Sequence, residues 1–158
     1  MQYLNHRGGM SVDNLKNVEI WEAELITNVR LWCSGLSGRA RVYEIFTARL
    51  QPDVAIQELD LFERLLTLTS VYAHRPIVHH DVECACIGAD EKIFVHLVDT
   101  ACSGDLREAS LIATLLVGAA KAEQIALLAA QVGILMKKMV AGRSHLMTTE
   151  VPSSVQLH

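Results

Sequence analysis

Residues 119–141 read AAKAEQIALLAAQVGILMKKMVA, and this stretch decides the fold class. Small side chains recur along one edge of it, at Ala119, Ala122, Ala126, Ala129 and Gly133. Larger side chains recur along the adjacent edge, at Ile125, Leu128, Val132, Leu135, Met136 and Met139. Steps of three and four residues are typical of an α-helix with a buried face. The stretch therefore predicts a helix about 34 Å long that ends at Gly142, since glycine favours a helix stop.

The same periodicity predicts helices through most of the remaining chain. Apolar side chains recur at helical spacing over about 13–34, 39–51, 53–74, 90–102 and 106–117. Asp90 and Asp105 stand where N-cap residues are expected, because a carboxylate there accepts hydrogen bonds from free amides of the first turn. Residues 75–89 have no helical period, and an isolated strand there would have no partner. The sequence predicts an all-α fold, a compact bundle of five or six helices with an irregular loop at about 75–89.

The chain has 158 residues, which suits a single domain because domains commonly contain about 100–150 residues. We expect the helical domain to span residues 13–142. Residues 1–12 contain Gly8 and Gly9 and predict a flexible leader. Residues 143–158 are predicted to form a mobile tail.

Composition argues against several classes of partner. The net charge is −4 and the sequence contains no basic run, so nucleic acid and anionic membranes are not expected partners. The aromatic content is 5%, and no aromatic residue follows Phe94, which argues against a base-stacking surface in the second half. The longest uncharged stretch, residues 124–136, is too short to span a bilayer, which takes about 20 residues. A cytoplasmic location with reduced cysteines is therefore predicted.

The predicted loop holds a dense group of possible metal ligands. They are His79, His80, Cys84 and Cys86. Thiolates and imidazole nitrogens form tetrahedral sites for transition metals such as zinc. His96 and Cys102 would join them if the following helix folded back over the loop. The same two loop cysteines also predict a thiol-redox pair, because a nearby imidazolium or helix N-terminus lowers a thiol pKa.

The spacing of the two loop cysteines weighs against a metal. In an extended chain the thiols of a C-x-C sequence lie about 6.6 Å apart. Two thiolates on one zinc ion lie about 3.8 Å apart. A bend at Ala85 would be needed to bring Cys84 and Cys86 together. The competing interpretation is a solvated acidic loop with two partly buried thiols.

A second candidate site is an anion site at the turn between the first two predicted helices. Ser37 would cap a helix whose free amides face the anion, and Arg39 and Arg41 would add positive charge. The competing interpretation is a plain turn between helices. Neither H-E-x-x-H nor G-x-S-x-G occurs in the chain, so no catalytic residue is predicted and a non-catalytic protein is favoured.

The last two predicted helices are apolar on more than one face. A helix that is apolar most of the way round must be buried on most sides, so the sequence predicts a homo-oligomer, with a dimer favoured. The predicted interface residues are Ala119, Ala122, Ala126, Ala130, Gly133 and Ile134.

The favoured function is that of a non-catalytic cytoplasmic interaction or accessory protein that self-associates through its C-terminal helices. An unidentified protein is a further predicted partner. The first alternative is a metal-binding or thiol-redox protein that uses the loop at 79–86. The second alternative is a small-ligand-binding sensor, or an enzyme, with a site in the helical core.

Overall fold

The computed structural model describes residues 10–149, with side chains described as far as Gly142. This part of the chain folds into six α-helices and a two-stranded sheet, which confirms the predicted all-α bundle. The helices are α1 (Ile20–Cys33), α2 (Leu36–Arg49), α3 (Pro52–Tyr72), α4 (Ala89–Cys102), α5 (Leu106–Ala113) and α6 (Ala119–Thr149). The strands are β1 (Ser11–Asn14) and β2 (Cys86–Gly88), which pair antiparallel.

Helix α6 lies at the centre of the bundle. It packs most extensively against α3, α4 and α5, and it also contacts α1 and α2. Its larger side chains, including Ile125, Val132 and Met136, are buried. Gly133 allows close approach of α4, because a Cβ added there would lie 2.6 Å from the Cβ of Cys102. The apolar surface of α6 is therefore covered largely by helices of the same chain.

This central position corrects part of the predicted oligomer interface. Three of the six predicted residues are packed inside the monomer, namely Ala122, Ala126 and Gly133. Ala130 is partly buried against the core, whereas Ala119 and Ile134 are exposed. The small-residue edge is used within the chain because α4 packs against it.

The segment Ala119–Gly142 is long enough to cross a membrane and contains an 18-residue window with a mean hydropathy of 1.5. Half of that window is buried in the bundle. The central helix of a soluble protein has the same character, since it is apolar on most sides. No second helix of this kind occurs within residues 10–149.

Helix α6 does not stop at Gly142 as predicted but continues to Thr149. Gly142 is not among the described glycines with positive φ, which are Gly35 and Gly104. A glycine that keeps helical geometry costs only about 1 kcal/mol relative to alanine, so the flanking helix formers carry the helix through it. Residues 143–149 of the predicted tail are thus helical, and the predictions for 1–9 and 150–158 lie outside the described residues.

The end of the loop forms a strand, which corrects the prediction that a strand there would have no partner. Asp13 of β1 pairs with Ile87 of β2. The Leu15 amide also donates to the Ala85 carbonyl at 2.8 Å. The chain before Leu15 belongs to this ladder, and residues Leu15–Asn17 form a short 3-10 helix. Helix α1 therefore begins at Ile20, capped by Glu19, rather than near residue 13. The partner strand lies far away along the chain, so local periodicity could not reveal it.

Backbone hydrogen bonds tie the end of α3 to the turn between α5 and α6. The His74 amide donates to the Leu116 carbonyl at 3.0 Å, and the Gly118 amide donates to the Tyr72 carbonyl at 3.3 Å. Helix α5 therefore ends at Ala113 instead of continuing to residue 117 as predicted. This pairing fixes the position of the chain that follows α3.

The two predicted N-caps have different outcomes. The Asp105 carboxylate accepts a hydrogen bond from the Glu108 amide at 3.0 Å and caps α5 as predicted. The residue that caps α4 is Gly88, and Asp90 lies within the first turn of that helix. The carboxylate of Asp90 is used instead to hold the loop, as described below.

Candidate functional site

A buried arginine organises the loop between α3 and β2. Arg30 of α1 is 0% exposed. Its Nε and Nη2 donate to Oε2 of Glu91 at 3.0 and 2.7 Å. The same guanidinium donates to the carbonyl oxygens of Asp81, Cys84 and Cys86. Because a guanidinium carries five N–H donors in a fixed plane, one side chain holds both the loop backbone and the start of α4.

The first turn of α4 provides the second anchor of the loop. Asp90 is 3% exposed, and its carboxylate accepts two hydrogen bonds from Arg75 at 2.7 and 2.8 Å. It also accepts one from the Val78 amide at 2.8 Å. Hydrogen bonds from Arg75 hold the pKa of Asp90 below its ordinary value, and the same contact raises the pKa of Arg75. The neighbouring Glu91 accepts a hydrogen bond from the His80 amide at 2.6 Å.

The predicted metal ligands in the loop serve mostly local contacts. His79 Nδ1 donates to the His80 carbonyl at 3.1 Å, and Nε2 of His80 is buried with no hydrogen-bond partner among the described residues. The thiol sulfur of Cys84 accepts a hydrogen bond from the Cys86 amide at 3.4 Å. Within the described part of the chain, no three His, Cys, Asp or Glu side chains gather into a group able to hold a metal ion. A metal or thiol-redox role of this loop stays a prediction from the sequence.

The two additional predicted ligands lie away from the loop. His96 is exposed on α4. Cys102 is the last residue of α4, about 20 Å along the helix axis from its start, and its thiol donates to the Asp99 carbonyl at 3.3 Å. Helix α4 runs away from the loop and does not fold back over it, because it packs along α6.

The structure does not assemble the predicted anion site. The N-cap of α2 is Gly35, so Ser37 lies inside the helix. Arg41 forms an exposed ion pair with Glu44 at 2.9 Å. The guanidinium of Arg39 instead lies over the ring of Trp32, with its Cζ 4.9 Å from the ring centroid. The three predicted residues therefore do not converge on one point.

A cleft of about 760 Å³ opens between α1, α3, the start of α4 and the segment 73–79. Most of its walls are apolar. Side chains that form them include Ile26, Val29, Trp32, Leu66, Ile77 and Phe94. Segment 73–79 forms one wall of the cleft. Its position is fixed by the hydrogen bond from the Val78 amide to the Asp90 carboxylate and by the hydrogen bond from the His74 amide to the Leu116 carbonyl.

Among the described residues, three formally charged side chains line the cleft, and two of them are neutralised within the protein. Glu91 is paired with Arg30, and Arg75 is paired with Asp90. The third is Arg39, which makes no ion pair with another described residue. The cleft therefore carries one cation without a carboxylate partner in the described structure.

Neutral polar groups at the edge of the cleft are also oriented. His74 Nε2 lies 2.9 Å from the Thr114 carbonyl, and because a carbonyl only accepts, the ring donates there and presents Nδ1 as an acceptor when neutral.

Cys33 lines the cleft near Arg39. Desolvation raises the pKa of the Cys33 thiol, and the charge of Arg39 lowers it to a smaller extent. The pKa of this thiol is therefore raised above its ordinary value, so the thiol is neutral at neutral pH.

Comparison with protein-family models, with curated proteins and with solved structures finds no match to this chain. The argument for function therefore depends on the site itself. Sequence reasoning did not single out Arg30, although a signal was present. Arg30 lies four residues after Ile26, on the buried side of α1, where a charged residue is rare unless it is paired. The cleft gave no local signal because its walls come from separate parts of the chain.

Proposed function

We propose that this protein is a soluble, cytoplasmic helical binding domain that takes a small, mainly apolar ligand in the cleft between α1, α3 and α4. The observation that carries this proposal is the cleft of about 760 Å³. Small-molecule sites are commonly concave, mostly apolar and about 300–1,000 Å³ in volume, with a few polar groups that orient the ligand. The lining described above has this composition.

The contacts of the charged lining groups support binding rather than acid–base chemistry. Glu91 accepts hydrogen bonds from Arg30 and from the His80 amide. Arg75 uses two of its N–H groups on Asp90. Groups held in this way stabilise the walls of the cleft and are not directed toward a reacting ligand.

The proposal predicts that a neutral apolar dye, Nile red, binds the purified protein with increased fluorescence and that filling the cleft removes this binding. Ser70 is exposed and lines the cleft, so Ser70→Trp should place an indole in it without disturbing the core. We expect the dye affinity to fall at least about tenfold. The measurement is a fluorescence titration with circular dichroism of each variant.

The matched control is Gln57→Trp, which adds the same side chain at an exposed position of α3 that does not line the cleft. This variant should bind the dye as the unmodified protein does. Equal loss in both variants, or undiminished binding by a folded Ser70→Trp protein, would place the dye elsewhere and refute the proposal.

A second candidate function is self-association, which the sequence predicted for the C-terminal helices and which we assign to the outer face of α6. Leu127 and Ile134 are seven residues apart on one side of this helix, and they are 47% and 60% exposed. A spacing of seven residues is that of a helix–helix interface. Gln124 and Gln131 lie beside them on the exposed surface, so the apolar stripe is narrow.

Self-association predicts a mass above that of one chain in light scattering at micromolar concentration. The variant Ile134→Glu should return the protein to a monomer, because it would place a charge in the apolar contact. Ile56→Glu is the control, since Ile56 is equally exposed at 60% but lies on α3. A monomer at all concentrations would exclude this second function and leave the cleft proposal untouched.

A further inference from the structure

We infer that the ligand of the cleft is an anionic amphiphile, with an apolar body between α1, α3 and α4 and an oxyanion, a carboxylate or a phosphate, paired with Arg39 at the rim. This inference rests on the proposed function and specifies its ligand class. It follows from which charges around the cleft are paired, from the geometry of Arg39 and from the distribution of apolar walls.

The charges around the cleft favour an anion over a cation. The carboxylate of Glu91 and the guanidinium of Arg75 each have an internal partner of opposite charge. Arg39 makes no ion pair with the residues that the structure describes. Cys33 lies close enough to Arg39 for the two groups to interact, but its thiol is neutral at neutral pH and does not supply a counter-charge. A ligand anion would supply the missing charge.

Arg39 is held in an orientation that leaves donors available. Its Nε donates to the Trp32 carbonyl at 3.4 Å, and its guanidinium lies 4.9 Å from the centroid of the Trp32 ring. Stacking on an aromatic face restrains the guanidinium plane. The two Nη groups can then form the paired hydrogen bonds that suit a carboxylate or a phosphate. Because Arg39 is exposed, the anion would stay partly hydrated.

The apolar body of the ligand would enter from this rim. Trp32 forms both the platform of Arg39 and part of the cleft wall. Phe94 and Ile77 line the same cleft. A molecule with a polar end and an apolar remainder thus matches a charged rim followed by apolar walls.

The test compares ligands of one chain length that differ only in the head group. Dodecanoate, dodecyl phosphate, dodecanol and dodecylamine are each titrated against the purified protein with bound Nile red, and the displacement of the dye is measured. The three ionic ligands are kept below their micelle concentrations, and dodecanol is kept below its solubility limit. We expect at least one of the two anions to bind roughly fivefold more tightly than the alcohol, and the amine to bind most weakly. Whichever anion binds more tightly identifies the preferred oxyanion.

The variant Arg39→Gln should reduce anion affinity to that of dodecanol and leave dodecanol binding unchanged. Arg64→Gln is the control, because it removes the same charge from an exposed position of α3 that does not line the cleft. This control should retain the preference for the anion.

The possible outcomes show whether the anionic ligand class alone is wrong or whether the proposed binding function is wrong as well. Equal affinities for all four head groups, with binding still sensitive to Ser70→Trp, would overturn the anionic class and keep the binding function. A preference for the anion that survives in Arg39→Gln would overturn the assignment to Arg39. Absence of binding by the dye and by every chain would overturn both proposals.

Discussion

Replacing Arg30 by methionine should lower the free energy of unfolding by about 3–5 kcal/mol, the range found when one partner of a buried ion pair is removed. Methionine fills part of the volume but leaves the Glu91 carboxylate buried without its cation. It also leaves the carbonyl oxygens of Asp81, Cys84 and Cys86 without their donor. Buried acceptors that lose their partner keep the full desolvation cost. Urea unfolding followed by circular dichroism measures the loss.

Two further variants distinguish how much of the stability depends on the positive charge of Arg30 and how much depends on the geometry of its hydrogen bonds. Arg30→Lys keeps the positive charge but cannot reach all of these acceptors at once, so its stability should fall between that of the methionine variant and the unmodified protein. Adding Glu91→Leu to Arg30→Met should recover part of the loss, because no buried charge then remains unpaired. A methionine variant within about 1 kcal/mol of the unmodified protein would contradict the role assigned to Arg30.

Replacing Gly38 by alanine should destabilise the protein by about 3 kcal/mol. An added Cβ at this position would lie 1.8 Å from the carbonyl oxygen of Leu31, closer than any real contact. The obstacle is backbone, so α1 and α2 would have to move apart. Intrinsic helix propensity acts in the opposite direction and favours alanine by about 1 kcal/mol. Thermal and urea unfolding give the sign of the change in the free energy of unfolding. That sign therefore shows whether the close contact with Leu31 or the helix propensity of alanine has the larger effect.

Gly142→Ala is the matched control for Gly38→Ala. Gly142 also lies inside a helix, and no described atom lies within 4 Å of a Cβ added there. This substitution should raise the free energy of unfolding by up to about 1 kcal/mol. If Gly38→Ala were as well tolerated as Gly142→Ala, the close contact between α1 and α2 would be refuted.

Much of the helical architecture could be predicted because periodicity is a local property of the sequence. The stripe in 119–141 and the cap at Asp105 depend on residues within a few turns of each other. The end of α5 and the pairing of β1 with β2 could not be predicted in this way. Each depends on hydrogen bonds from a distant segment, such as those between His74 and Leu116 or between Asp13 and Ile87.

The candidate site was less predictable for the same reason. The sequence directed attention to His79, His80, Cys84 and Cys86, whose side chains do not gather as ligands in the described structure. It also grouped Ser37, Arg39 and Arg41 as one anion site, whereas in the structure Ser37 lies inside α2 and Arg41 pairs with Glu44. Trp32 proved to be the neighbour that orients Arg39, because the turn at Gly35 brings α2 back against the end of α1.

Arg30 recognises the loop through main-chain oxygen atoms, and this has a consequence for how the sequence can vary. The carbonyl groups of Asp81, Cys84 and Cys86 accept its hydrogen bonds, and every amino acid provides such a group. This contact therefore places no demand on the side chains at those three positions. Related chains can differ at those three positions while keeping the same backbone path. A different loop sequence can likewise be introduced there while Arg30 continues to hold the backbone.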